Sequence, residues 1–154
     1  MPTKRIGEIL VEEGYLQASD LNKALELQKS QGGLLGCHLV RLGLISEEDL
    51  IIALSRQLDV PYIQLKSYRV NREAVKLIPK DVCEKFLIFP FDKGEKEISV
   101  AMSNPLDEES LEAVKKRVRS KVQIFLARMT EIRDSINHYF PVSAPARREE
   151  DGGL

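Results

Sequence analysis

Residues 5–28, RIGEILVEEGYLQASDLNKALELQ, and residues 34–57, LLGCHLVRLGLISEEDLIIALSRQ, are one segment written twice. At an offset of 29 residues Gly7 aligns with Gly36, Leu10 with Leu39, Val11 with Val40 and Gly14 with Gly43. Asp20/Asp49, Leu21/Leu50, Ala24/Ala53, Leu25/Leu54 and Gln28/Gln57 bring the identities to nine in 24 positions. Ile6/Leu35 and Leu16/Ile45 are conservative. Each copy reads as two short helices around a glycine. Ile6, Ile9 and Leu10 form one apolar group, and Leu21, Ala24, Leu25 and Gln28 share a face at spacings of three and four. Two copies are too few for a solenoid. A tandem pair instead suits a ligand or partner that is itself two-fold.

Local punctuation supports the helix pairs. Gly14 fits a helix stop, and Ser46 followed by Asp49 resembles a capping box with Asp in place of Glu. Gln17 takes the Ser46 position in the first copy, so that start is less sharply set. Gln31-Gly32-Gly33 reads as the hinge between the copies. At Asp59-Val60-Pro61 the pattern changes. Strands are expected over 62–65, 86–91, 97–102 and 121–127, with helices over 72–78, 107–119 and 130–139. The fold class is therefore α+β. Residues 1–58 form a helical tandem-repeat subdomain, 59–141 a small α/β subdomain, and 142–154 a disordered tail or linker stub.

Composition excludes several functions. The 154 residues are 43% hydrophobic and 31% charged with a net charge of −1, an ordinary soluble balance. No apolar run approaches a membrane span, and MPTKRIGEIL has no signal-peptide core, so a cytoplasmic location without membrane insertion is expected. Cys37 and Cys83 read as buried reduced thiols. His38 and His138 are far apart in sequence, so no metal site is expected, and His38 reads as a surface residue. Gly32-Gly33-Leu34-Leu35-Gly36 lacks the lysine and hydroxyl of a phosphate-binding loop, and no hydrolase motif is present. The chain reads as a non-enzyme. The acidic excess of the repeats argues against DNA as a partner. Lys115, Lys116, Arg117, Arg119 and Lys121 read as a solvated helix face.

Arg5-Ile6-Gly7-x-x-Leu10-x-x-x-Gly14 followed by Leu21-x-x-x-Leu25-x-x-Gln28 resembles the tandem motif of the MshEN domain. That is the N-terminal domain of type II secretion and type IV pilus assembly ATPases, also called the GspE N-terminal domain. The second copy, Leu35-Gly36-x-x-Leu39-x-x-x-Gly43 then Leu50-x-x-x-Leu54-x-x-Gln57, follows at the family's five-residue spacer. Val60-Pro61-Tyr62 and the run from Ile98 to Asp107 extend the likeness, which covers roughly residues 4–140.

The resemblance implies a freestanding regulatory module for cyclic di-GMP in a secretion, pilus or motility system, without the ATPase domain. It implies no cofactor beyond that ligand. The implied partners are a secretion or pilus assembly ATPase or an inner-membrane platform protein. The alternative it leaves open is a ligand-free docking adaptor. The implied binding residues are Arg5, Ile6, Gly7, Leu10, Leu21, Leu25, Gln28, Leu35, Gly36, Leu39, Leu50, Leu54 and Gln57.

Chemically, glycines at helix starts permit close approach to backbone N–H groups. The leucines offer either apolar ligand surface or core, and the glutamines either orient a base or cap. Arg5 matches guanine O6 and N7. One departure stands out: Leu34 occupies the second motif's arginine position. Losing a charge-assisted contact there costs about 1.5–3 kcal/mol, roughly 10- to 150-fold in affinity. Asp107 reads as a helix cap, with a guanine contact as the alternative.

Overall fold

The computed structural model describes residues 6–140; Arg5 and the expected tail at 142–154 lie outside the described residues. The repeats fold as α1 (Ile6–Glu12), α2 (Ala18–Gln31), α3 (Leu35–Arg41) and α4 (Glu47–Leu58). Each α1- or α3-type helix ends in the same way. Gly14 at φ +85° and Gly43 at φ +75° take the left-handed conformation that an L side chain resists. Tyr15 N–H then reaches Leu10 C=O at 2.9 Å and Leu44 N–H reaches Leu39 C=O at 3.0 Å, the bonds of a Schellman stop. At the start of α4, Ser46 Oγ accepts from Asp49 N–H at 3.1 Å, as expected, whereas Gln17 makes no side-chain cap for α2. Gly32 and Gly33 both have positive φ and turn the chain between copies. α1 packs on α4 and α2 on α3, so each copy's first helix rests on the other copy's second helix.

Helices α5 (Arg72–Val75) and α6 (Lys80–Phe86) follow, then strands β1 (Ile88–Lys93) and β2 (Glu97–Met102), helix α7 (Glu108–Arg117), strand β3 (Lys121–Leu126) and helix α8 (Met129–Tyr139). The sheet has the order β1-β2-β3, with β1/β2 antiparallel and β2/β3 parallel through α7. The arrangement is α+β. A bulge at Phe91 shifts the β1 register between Pro90 and Asp92. The Phe91 carbonyl accepts from Asn71 N–H at 2.9 Å, which ties the start of α5 to this edge. The Phe91 ring meets Tyr68 and Phe125 edge-on, at 4.9 Å and 5.3 Å between centroids. Buried side chains from Ile6 to Ile136 form one apolar cluster.

Three local expectations need correction. The strand expected over 62–65 is a single parallel bridge from Tyr62 to Leu126 followed by a 3-10 turn. Leu65 N–H does not seek a strand neighbour because the buried Glu131 carboxylate of α8 accepts it at 3.0 Å. The helix expected over 72–78 stops at Val75, before Pro79, which disfavours helical geometry in the residue preceding it. The strand expected from Phe86 starts at Ile88, because α6 runs to Phe86 and Leu87 takes a left-handed turn at φ +51°.

Contacts at the start of α8 join the repeats to the sheet. Glu47 of α4 accepts from Thr130 N–H at 2.9 Å and from its hydroxyl at 3.3 Å. A carboxylate there also sits at the positive end of the helix dipole. Arg128 pairs with Glu48 at 3.5 Å, and Cys37 Sγ lies 3.4 Å from Met129 Sδ. The caps predict that Ser46→Ala lowers unfolding free energy by about 1 kcal/mol. Gly43→Ala should cost about 1–2 kcal/mol through left-handed strain. Urea denaturation measures both; unchanged midpoints would contradict this account of the helix ends.

Candidate functional site

A cleft of about 690 Å³ opens between the repeats and the sheet layer. One wall comes from the repeats: Ile6 at the start of α1, Leu25 and Gln28 on α2, then Gly33, Leu34 and Leu35 leading into α3. The facing wall is Lys85 and Phe86 at the end of α6, with Asn104 and Leu106 through Glu109 entering α7. That second turn is fixed by its own side chains. Asn104 Oδ1 accepts from Leu106 N–H at 3.0 Å. Asp107 Oδ1 accepts from Glu109 N–H at 3.2 Å and Oδ2 from Ser110 Oγ at 2.6 Å. Asp107 is therefore the cap expected of it, and it also lines the cleft.

The sequence-selected residues divide sharply. Ile6, Leu25, Gln28 and Leu35 come together in the cleft. Gln28 Nε2 donates to Gly33 C=O at 3.1 Å, which pins the spacer. Leu10, Leu39 and Leu54 have no exposed surface and Leu50 almost none, so these four pack the core rather than face a ligand here. Leu21, half-buried, fills the space beside Gly7: a Cβ added to Gly7 would sit 2.6 Å from Leu21 Cδ1. A Cβ on Gly36 would be 3.5 Å from Leu50 Cδ2 and 3.7 Å from Met129 Sδ. Both glycines are buried at helix starts, and what approaches them is the next helix's leucine. Gln57 is exposed but outside the cleft. Arg5 lies outside the described residues.

Three features escaped the sequence reading. Lys85 and Phe86 sit in no motif, and their place in the cleft depends on α6, which was not expected. Glu108 and Glu109 look like ordinary first-turn acids. His38 is buried, at 4% exposure, rather than on the surface. Its Nε2 is 2.7 Å from Gly32 C=O, so it braces the hinge that Gln28 also holds. The exposed side chains of Lys115, Lys116, Arg117, Arg119 and Lys121 match a solvated face, with Arg117 also donating to Ala113 C=O at 3.1 Å.

The repeat architecture and this cleft can be set against known proteins. The sequence model of the MshEN domain matches residues 58–146. The structure of MshE with cdg superposes with a TM-score of 0.69 at 31% identity, covering 90% of this chain and all of that one. The chain belongs to the MshEN domain family. The type IV pilus assembly ATPase PilB of Myxococcus xanthus is 34% identical over 150 residues, which is 97% of this chain and 26% of PilB. The PilB of Thermus thermophilus is 32% identical over 113 residues, 72% of this chain and 13% of that protein. The chain thus spans about a quarter or less of these relatives. The N-terminal domain of XpsE shares the fold, with a TM-score of 0.73 at 22% identity over 92% of this chain. Among the described residues no helix is long and apolar enough to cross a membrane.

The thiols are free and differ in setting. Burial raises the Cys37 thiol above its usual value despite nearby Arg133 and Arg41. Burial, with Asp81 and Glu84 adding, pushes Cys83 up to about 12. A disulfide reagent at pH 8 should therefore modify Cys37 slowly and Cys83 only as fast as the protein unfolds. Equal rates in the folded protein would mean that α6 opens independently.

Proposed function

We propose that this chain is a cyclic di-GMP-binding regulatory module of a type IV pilus, type II secretion or motility system, with no ATPase chemistry of its own. The observation that carries the reading is the cleft. It gathers four motif residues, Ile6, Leu25, Gln28 and Leu35, opposite Asp107. Leu25 is 36% exposed there and, with Ile6, Leu34 and Leu35, offers apolar surface to a purine face. The Gln28 side-chain oxygen remains available as an acceptor. Guanine presents N–H donors on its Watson–Crick edge, and the carboxylates of Asp107, Glu108 and Glu109 are acceptors of matching sense. Arg5, next to Ile6 in sequence, takes the guanine O6/N7 contact in this reading. MshE with cdg, which we take as cyclic di-GMP, is the relative that favours this ligand.

In this reading residues 1–58 and 59–141 are two subdomains, and the nucleotide bridges them. Binding then fixes their relative pose and alters a surface offered to a secretion or pilus ATPase or an inner-membrane platform protein in the cytoplasm. A second reading, a ligand-free docking adaptor, is favoured by Leu42 and Ile52, large exposed apolar side chains on the second repeat outside the cleft.

Isothermal titration discriminates the two. Cyclic di-GMP should bind saturably at micromolar affinity or tighter, while GTP and cyclic di-AMP give little heat. Gln28→Ala and Arg5→Ala should each weaken binding by about tenfold or more. Absence of heat at high ligand concentration would reject the nucleotide reading and leave the adaptor.

A further inference from the structure

We infer that Lys85, with Phe86 beside it, supplies a phosphate contact in the cleft and with it a cation that the second repeat lacks. The inference rests on the cyclic di-GMP reading and assigns a role to a residue outside both repeats. The cleft's electrostatics favour such a group. Of its described lining side chains, Asp107, Glu108 and Glu109 are acidic and Lys85 is basic. A phosphodiester entering the carboxylate side meets like charge, which raises the free energy of the complex. On the repeat side, Leu34 lines the cleft where the motif's first copy has Arg5, so the second copy brings no cation to balance a phosphate.

Lys85 is suited to the task. Ion pairs among the described residues join Lys76 to Glu73 and Arg128 to Glu48, and Lys85 belongs to neither. Its Nζ rests 5.2 Å from the Phe86 ring centroid, a cation–π contact that a phosphate oxygen readily replaces. The helix that carries it is anchored, because α6 buries Val82 and Cys83 and is stopped by the left-handed Leu87. Lys85 itself is exposed and lines the cleft. A half-buried Phe86 ring in the same wall gives a base or ribose a flat surface next to that charge. The α6 and α7 parts of this one wall then read opposite ends of one nucleotide half: phosphate toward Lys85, guanine edge toward Asp107–Glu109.

The test is titration of cyclic di-GMP into the wild type, Lys85→Ala, Lys85→Arg and the double variant Lys85→Ala/Leu34→Arg, each checked for unchanged circular dichroism. Lys85→Ala should weaken binding about 10- to 100-fold, Lys85→Arg should stay within a few-fold of wild type, and Leu34→Arg should recover most of the loss. The salt dependence of the affinity should flatten in Lys85→Ala, as expected when one phosphate contact is removed. Wild-type binding that Lys85→Ala leaves unchanged overturns this inference and leaves the nucleotide reading standing. No binding by the wild type overturns the nucleotide reading, and this inference with it.

Discussion

The first turn of α8 must satisfy backbone N–H groups that have no partner inside their own helix. The chain meets that requirement from a distance, with the Glu47 carboxylate of α4 accepting from Thr130 N–H. Neighbouring residues exploit the same junction. Arg128 pairs with Glu48, Met129 lies against Gly36 and Cys37, and Glu131 accepts the backbone of Leu65. Four consecutive residues thus join α8 to the second repeat and to the segment linking it to the sheet. The cleft depends on this junction. The junction ties the second repeat, whose Leu35 lines one wall, to α8, which packs on α6, whose end lines the other.

That clamp also explains why a duplicated sequence does not give duplicated surfaces. Leu25 and Leu54 are the same residue of the same motif, yet one is 36% exposed in the cleft and the other fully buried. The atoms nearest a Cβ on Gly7 all belong to Leu21, whereas those nearest one on Gly36 come from Leu50 and from Met129 of α8. Gln28 pins the spacer while its counterpart Gln57 lies outside the cleft. The helix pairs repeat because helix formation and capping are local. Exposure does not repeat because it depends on which flank the sheet layer covers.

The same division separates what could be read in the sequence from what could not. The helix pairs, both glycine stops and the Ser46 cap follow from short-range rules, and the structure contains them. So do β2, where Ile98, Val100 and Met102 alternate inward, and α8, whose Ile132 and Ile136 repeat every four residues. The segment 80–91 was harder. Val82, Cys83 and Phe86 are as compatible with strand as with helix, and only the turn at Leu87 divides them. Tyr62–Leu65 has strand composition but lost its ladder to Glu131, a residue 66 positions from Leu65. The cleft followed the same logic: its repeat wall was indicated by the motif, while Lys85 and Phe86 depended on where α6 ended. For single residues, periodicity could not distinguish a cleft-facing leucine from a core one, and it could not foresee that His38 would turn inward to the hinge.

The bulged edge of the sheet has a consequence for how copies of this chain meet one another. An open edge strand is a template on which another chain can pair, and β1 and β3 are the margins of this three-stranded sheet. Pro90 removes a donor from β1, and the Phe91 bulge hands its carbonyl to Asn71. On the opposite margin Leu126 exchanges hydrogen bonds with Pro61 and Ile63 of the same chain. The β1 margin is thus broken by a proline, and each margin is partly spent on an intramolecular bond. Continuous strand pairing with another copy is obstructed at β1 and, on the other margin, at the Leu126 end of β3.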